Sequence, residues 1–128
     1  METGALALII SPPGRLIDGW RALLLATPQI AEVRQVDGAL PAIEAMEAFD
    51  PDLVLVDVEA LGKQAWSVLA QIKRRRPRCC SILLVCYARQ RQQALDAGAD
   101  EVLVKGFSAG QLSAAVERLF TRGSQGCK

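Results

Sequence analysis

Pro51-Asp52-Leu53-Val54-Leu55-Val56-Asp57 is the stretch that decides the fold of this chain. Its centre, residues 53–56, is apolar at every position, and the stretch ends on a carboxylate. An uninterrupted apolar run predicts a strand buried on both faces, as in a parallel sheet with helices on either side. Similar runs lie at residues 5–10 and 82–85, and two half-polar strand candidates lie at residues 32–36 and 101–104.

Helical patterns separate these five runs. Residues 15–26, 39–49, 64–76, 89–97 and 108–120 each place apolar side chains at helical spacing. Strands that alternate with helices of this length indicate right-handed βαβ units. We therefore predict an α/β fold, a flavodoxin-like doubly wound (βα)5 domain built on a five-stranded parallel sheet.

The composition is that of one ordinary globular domain. The chain has 128 residues, 51% of them apolar and 23% charged, which is enough for one core and too little for two. We assign residues 5–120 to the domain and the polar residues 121–128 to a frayed tail or the start of a linker. The 15 basic and 14 acidic side chains nearly cancel, which argues against disorder and against an overall electrostatic grip on nucleic acid. We expect no membrane span, since the apolar runs are too short.

The reactive side chains argue against an enzyme. The chain contains no histidine, so Ser-His-Asp and Cys-His catalytic arrangements are excluded. The four cysteines, at positions 79, 80, 86 and 127, show no C-x-x-C metal spacing, and we expect a reducing, cytoplasmic location. Pro12-Pro13-Gly14 is not a G-x-G-x-x-G phosphate loop. A small-molecule-binding domain of the same fold therefore gains no support from the first loop.

The predicted topology points to one edge of the sheet. Ligands of doubly wound sheets bind at the carboxyl ends of the strands. Ser11, Asp57, Cys86 and Lys105 stand directly after four of the five apolar runs. They are the first candidates for a functional site, and we expect Asp57 and Lys105 to converge.

Several segments, taken in chain order, resemble the receiver domain of bacterial two-component response regulators. The likeness extends over residues 5–120. Gly19-Trp20-Arg21-Ala22-Leu23-Leu24 and the absence of proline after Lys105 are closest to receivers that carry helix-turn-helix output domains. The segments that carry the resemblance are Pro51-Asp52-Leu53-Val54-Leu55-Val56-Asp57, Pro77, Ile82-Leu83-Leu84-Val85-Cys86, Ala94-Leu95-Asp96-Ala97-Gly98-Ala99-Asp100 and Val104-Lys105.

The resemblance implies a phosphorelay role. In receivers, an aspartate after the third strand accepts a phosphoryl group from a histidine kinase, and Asp57 matches that position. Lys105 matches the lysine that contacts the phosphoryl group. Mg²⁺ would be held by Asp57, by the backbone carbonyl of Glu59 and by acidic residues after the first strand.

The remaining family positions depart from the pattern. Ser11 and Pro12 stand where the acidic pair belongs, so Ser11 offers one neutral oxygen and Pro12 offers none. Since Mg²⁺ prefers several carboxylates, we expect a weak cation site unless Asp18 or Glu59 compensates. A metal-free ion pair between Asp57 and Lys105 is then a consistent resting state.

The two switch positions are also unusual. Cys86 replaces the Ser or Thr that contacts the phosphoryl group, and its thiol is a weak hydrogen-bond donor. Val102 replaces the usual Tyr or Phe of the fifth strand. We interpret the domain as an atypical receiver in which phosphorylation is weak or absent.

Each candidate residue also has a simpler interpretation. Asp57 would alternatively cap a helix, and Cys86 would be a passive substitution rather than a reactive thiol. Cys79-Cys80 suits small buried apolar side chains at a strand start. The basic run at residues 74–78 is interpreted as a solvated helix end. Trp66 is either an exposed interface residue or a partly buried core residue.

Two function classes follow for this receiver-like module. The first is a signalling module that binds a histidine kinase or other signalling protein and pairs with itself through the fourth helix, fifth strand and fifth helix. Nucleic acid would be contacted only through an output domain outside this chain. The second is a constitutive interaction domain, a pseudo-receiver that has left phosphorelay.

Overall fold

A computed structural model describes residues 4–121 of the chain as one five-stranded parallel sheet with helices on both faces. The strand order is β2-β1-β3-β4-β5, and every neighbouring pair is parallel. This confirms the doubly wound fold. The strands are β1 (Ala5–Ile10), β2 (Ile30–Val36), β3 (Leu53–Asp57), β4 (Cys80–Val85) and β5 (Glu101–Val104).

In the part of the chain that the structure describes, six α-helices connect and follow the strands. One of them, α3, is a four-residue turn that the sequence pattern did not predict, so the predicted third, fourth and fifth helices are α4, α5 and α6. No helix within residues 4–121 is long and apolar enough to cross a bilayer. The helices are α1 (Arg15–Leu25), α2 (Ala39–Phe49), α3 (Val58–Leu61), α4 (Gln64–Arg75), α5 (Arg91–Asp96) and α6 (Ala109–Thr121).

The central strands are buried because their side chains alternate between two cores. Leu53 and Leu55 face the core that α1 and α6 cover, whereas Val54 and Val56 face the core under α2 to α5. All four side chains have no exposed surface. Burial on both faces explains why the run is apolar at every position instead of alternating with polar residues.

The predicted fourth helix and the predicted tail differ from what the structure shows. The predicted helix at residues 89–97 is a 3-10 turn, Ala88–Gln90, followed by a short α5. The Gln90 side chain accepts the backbone N–H groups of Cys86 and Tyr87, which tightens this turn. Thr121, predicted to belong to the tail, is the last residue of α6, and its hydroxyl donates to the Glu117 carbonyl at 2.8 Å. The rest of the predicted tail, residues 122–128, lies outside the described residues.

The register brings the ends of four strands to one edge of the sheet. Ile10 lies beside Val56, and Asp57 lies beside Leu84. Beyond them, Val85 pairs with Val104. The residues that follow these positions therefore share one surface, as the topology predicted.

Candidate functional site

Asp57 and Lys105 form an ion pair at the carboxyl edge of the sheet. Lys105 Nζ lies 2.8 Å from Asp57 Oδ1, and the two side chains are only 20% and 9% exposed. Both are positioned by strands, because Asp57 ends β3 and Lys105 follows β5 with its backbone N–H bonded to the Val85 carbonyl at 2.8 Å. The predicted ion pair is present.

Glu59 brings a second carboxylate to the same ammonium group. Its Oε1 lies 2.9 Å from Lys105 Nζ, although the Glu59 side chain is 66% exposed. The hydrogen bond from Lys105, and after it one from the Cys86 thiol, lowers the pKa of Glu59. Partial burial acts to lower the pKa of Lys105, but the hydrogen bonds to Asp57 and Glu59 outweigh it and the pKa is raised. Lys105 is therefore a cation at neutral pH.

Ser11 contacts the other oxygen of the aspartate. Its hydroxyl donates to Asp57 Oδ2 at 3.0 Å, and Ser11 itself is buried. Its backbone carbonyl accepts a hydrogen bond from the Gln35 side chain on β2. Pro12, which follows Ser11 in the first loop, is exposed and has no side-chain donor or acceptor. The first loop thus supplies one neutral hydroxyl to the site.

Asp57 also caps the short helix that follows it. Its Oδ1 accepts the backbone N–H of Ala60 at 3.4 Å, as an N-cap does. The helix-capping interpretation and the ion-pair interpretation therefore describe the same carboxylate. Both of its oxygens already accept hydrogen bonds from this chain.

Cys86 is partly exposed beside Glu59 and Lys105. Partial burial and then the hydrogen bond to Glu59 raise the pKa of its thiol. A raised pKa reduces the thiolate fraction, which favours the passive substitution over a reactive cysteine. At the start of β4, Cys79 is buried, and burial raises the pKa of its thiol to about 12.

Val102 and Trp66 are held by the core beneath α2 to α5. Val102 is 3% exposed, so β5 carries a buried aliphatic side chain at this position. Trp66, left undecided by the sequence, is partly buried and packs against this core. It also lines a groove of about 380 Å³ together with Cys86 and Tyr87.

The basic run at residues 74–78 begins in the last turn of α4 and lies at the opposite edge of the sheet. Arg75 contacts Glu47 at 2.9 Å, and Arg76 contacts Asp50 at 2.7 Å. These pairs are exposed, and the run does not approach Lys105. The structure supports a solvated helix end.

The donor set does not fit Mg²⁺ well. Within residues 4–121, no group of three or more His, Cys, Asp or Glu side chains is arranged to hold a metal ion. Asp18 is exposed on α1 and is not among the residues that line the cavity beside Asp57. Glu59 turns its carboxylate toward Lys105, and Ser11 donates its proton to Asp57. Mg²⁺ would need to break these contacts to reach an octahedral set of oxygens.

Two site residues were missed by the sequence interpretation. The side chain of Glu59 pairs with Lys105, whereas the sequence interpretation connects Glu59 only with a cation. Gln35 fixes the carbonyl of Ser11 from β2, where its position opposite Ile9 near the strand end was the available signal.

Comparisons with known proteins agree with this architecture. No curated protein matches the chain. A response regulator of the LuxR family from Aurantimonas sp. SI85-9A1 superposes with a TM-score of 0.82 at 19% identity, covering 93% of this chain and 86% of that one. The receiver domain of the putative response regulator NarL from Mycobacterium tuberculosis gives 0.82 at 19% identity, covering 95% and 100%. A CheY-like receiver from Methanospirillum hungatei JF-1 gives 0.75 at 18%, covering 91% and 93%.

These structural similarities, all below 25% identity, concern the fold. The family assignment comes from the sequence model described as the response regulator receiver domain, which matches residues 15–117. Since this segment is most of the chain and includes Asp57 and Lys105, the protein belongs to the response regulator receiver domain family.

Proposed function

We propose that this chain is a two-component signalling module in which Asp57 is phosphorylated weakly or not at all. The observation that carries the proposal is the 2.8 Å ion pair between Asp57 and Lys105. The other carboxylate oxygen accepts the hydroxyl of Ser11. An aspartate whose oxygens are both engaged is a poor nucleophile until these contacts are broken.

The charge balance supports the same conclusion. One ammonium group faces two carboxylates, so the site of Asp57, Glu59 and Lys105 carries a formal charge of about −1 before any phosphoryl group arrives. Phosphoryl transfer depends on electrostatic stabilisation of the transferred group. Without a firmly held divalent cation, an incoming phosphoryl dianion meets a net negative surface. Phosphorylation is therefore disfavoured both in the ground state and in the transition state.

For partners, we propose a histidine kinase or another cytoplasmic signalling protein, with nucleic acid reached only through an output domain outside this chain. We place self-association at the face formed by α5, β5 and α6. Leu95 on α5 is 41% exposed there, and Arg118 of α6 pairs with Glu101 of β5 at 2.8 Å. An exposed apolar side chain beside charged ones suits a modest, polar-rimmed contact.

A second candidate is a constitutive interaction domain that works without phosphorylation. It is favoured by the buried Val102, which leaves β5 without an aromatic side chain to change position. The thiol of Cys86 is also a weak donor to a phosphoryl oxygen. Under this candidate, the oligomeric mass in light scattering is the same with and without acetyl phosphate.

Phosphorylation by acetyl phosphate tests the first proposal. The purified chain is incubated with acetyl phosphate and MgCl₂, and the phosphoryl group is counted by intact-mass spectrometry. We expect little or no added mass, whereas a variant carrying Ser11→Asp and Pro12→Asp gains it because two carboxylates are returned to the cation site. Asp57→Asn in the same double-acid background is the control and accepts none. Stoichiometric phosphorylation of the unchanged chain would refute the proposal.

A further inference from the structure

Lys105 lies between two carboxylates that come from different parts of the site. Its Nζ is 2.8 Å from Asp57 Oδ1 and 2.9 Å from Glu59 Oε1. Asp57 ends β3, Glu59 belongs to the first turn of α3, and Lys105 follows β5. The two acidic residues are separated from Lys105 by more than 40 positions in the sequence, so tertiary packing alone creates this arrangement.

A divalent cation that binds both of these carboxylates must come close to the ammonium group that pairs with them. Lys105 is partly buried, at 20% exposed. Its ammonium group can move away only by giving up both ion pairs. Repulsion between a dication and an ammonium group a few ångströms away is strong in a partly buried site. Within the described residues, no other basic side chain forms an ion pair with Asp57 or Glu59.

We infer that Lys105 is the resident cation of this site. Its Nζ supplies, between the carboxylates of Asp57 and Glu59, the positive charge that a divalent cation would otherwise supply. The inference deepens the proposed function and rests on it, since both require Asp57 to be kept in a metal-free ion pair. Removing the ammonium group leaves two adjacent carboxylates without a counter-ion. Such a pair, with the Ser11 hydroxyl beside it, offers the hard oxygen donors that Mn²⁺ and Mg²⁺ prefer.

The test is a Mn²⁺ titration of the full chain, with free Mn²⁺ measured by electron paramagnetic resonance. The unchanged chain is expected to show no saturable binding at millimolar Mn²⁺. Lys105→Met is expected to bind one equivalent of Mn²⁺, with an affinity at least about tenfold above the upper limit found for the unchanged chain, because one repulsive charge is gone. Lys105→Arg keeps the charge and is expected to behave as the unchanged chain. Adding Glu59→Gln to Lys105→Met is expected to remove the gain.

Two results would overturn the inference. One is Mn²⁺ binding by Lys105→Met that is no tighter than that of the unchanged chain. The other is equal binding with and without Glu59→Gln in that background. Circular dichroism verifies the fold of each variant, and Lys105→Gln replaces Lys105→Met if the latter does not fold. Phosphorylation of the unchanged chain would refute the proposed function alone, since the inference is judged by the difference in Mn²⁺ affinity between variants.

Discussion

The ion pair between Asp57 and Lys105 should stabilise the folded protein measurably. At 2.8 Å, the gross attraction is about 6 kcal/mol for an effective dielectric constant of about 20. The cost of desolvating two partly buried ions offsets most of this attraction. We expect a net coupling free energy of about 1–2 kcal/mol, which lies within the range measured for residues in contact.

A double-mutant cycle isolates this coupling. Lys105→Met keeps most of the length of the side chain but leaves Asp57 with an uncompensated charge. We expect it to cost about 2–3 kcal/mol, less than a completely buried pair would, because Ser11 and Ala60 still donate to Asp57. Asp57→Asn keeps a hydrogen-bonding group and should cost about 1 kcal/mol. The double variant should then be about 1–2 kcal/mol more stable than additivity predicts.

Urea unfolding followed by tryptophan fluorescence measures each free energy. Trp20 is buried between α1 and the sheet, so its emission reports the loss of the core. Glu59→Gln is the matched control: it removes the exposed carboxylate from the same ammonium group and should cost clearly less than Asp57→Asn. A coupling free energy within about 0.5 kcal/mol of zero, the usual scatter of additive pairs, would refute the reasoning.

Three further results are expected. Burial raises the pKa of Cys79 to about 12, so iodoacetamide at pH 8 should leave Cys79 unmodified in the folded protein while Cys86 reacts slowly. Peptide mass spectrometry measures both reactions, and rapid labelling of Cys79 would contradict this expectation. The pKa of Glu59 is lowered from 4.5, chiefly by the hydrogen bond from Lys105. The contribution of this contact to the free energy of unfolding is therefore present above pH 4.5 and disappears as the pH falls through the lowered pKa. The difference in urea midpoint between the unchanged chain and Glu59→Gln should therefore shrink on acidification, and a growing difference would argue against the contact. Gly106 has φ +95° and open space where a Cβ would lie, so Gly106→Ala should lower the free energy of unfolding by about 1 kcal/mol through backbone strain. Gly14 has φ 161° and similar open space, so Gly14→Ala should be nearly neutral. Equal losses in thermal unfolding of the two variants would contradict the strain argument.

The strands and most helices could be predicted because they are determined by local pattern. The run at residues 53–56 is buried on both faces, and its continuous apolar character identified it as a central parallel strand. The helix α3 could not be predicted in this way, because four residues do not establish a helical period. The split of the predicted fourth helix depends on the side chain of Gln90, which accepts two backbone N–H groups in the preceding loop.

The site was predictable only where topology alone places the residues. The convergence of Asp57 and Lys105 follows from the parallel strand order, which brings both strand ends to one edge. The contact of Glu59 with Lys105 depends instead on the side-chain conformation of Glu59, which the strand order does not determine. The same is true of Gln35, whose amide reaches across from β2 to the first loop. The absence of carboxylates at Ser11 and Pro12, in contrast, can be read directly from the sequence.

Calorimetric titration of the unchanged full chain with MgCl₂ at neutral pH tests the central claim most directly. If Asp57 is held by Lys105 and Ser11 in a metal-free pair, no saturable heat should appear at millimolar Mg²⁺, and Lys105→Met should produce one. Tight, stoichiometric Mg²⁺ uptake by the unchanged chain would contradict the account.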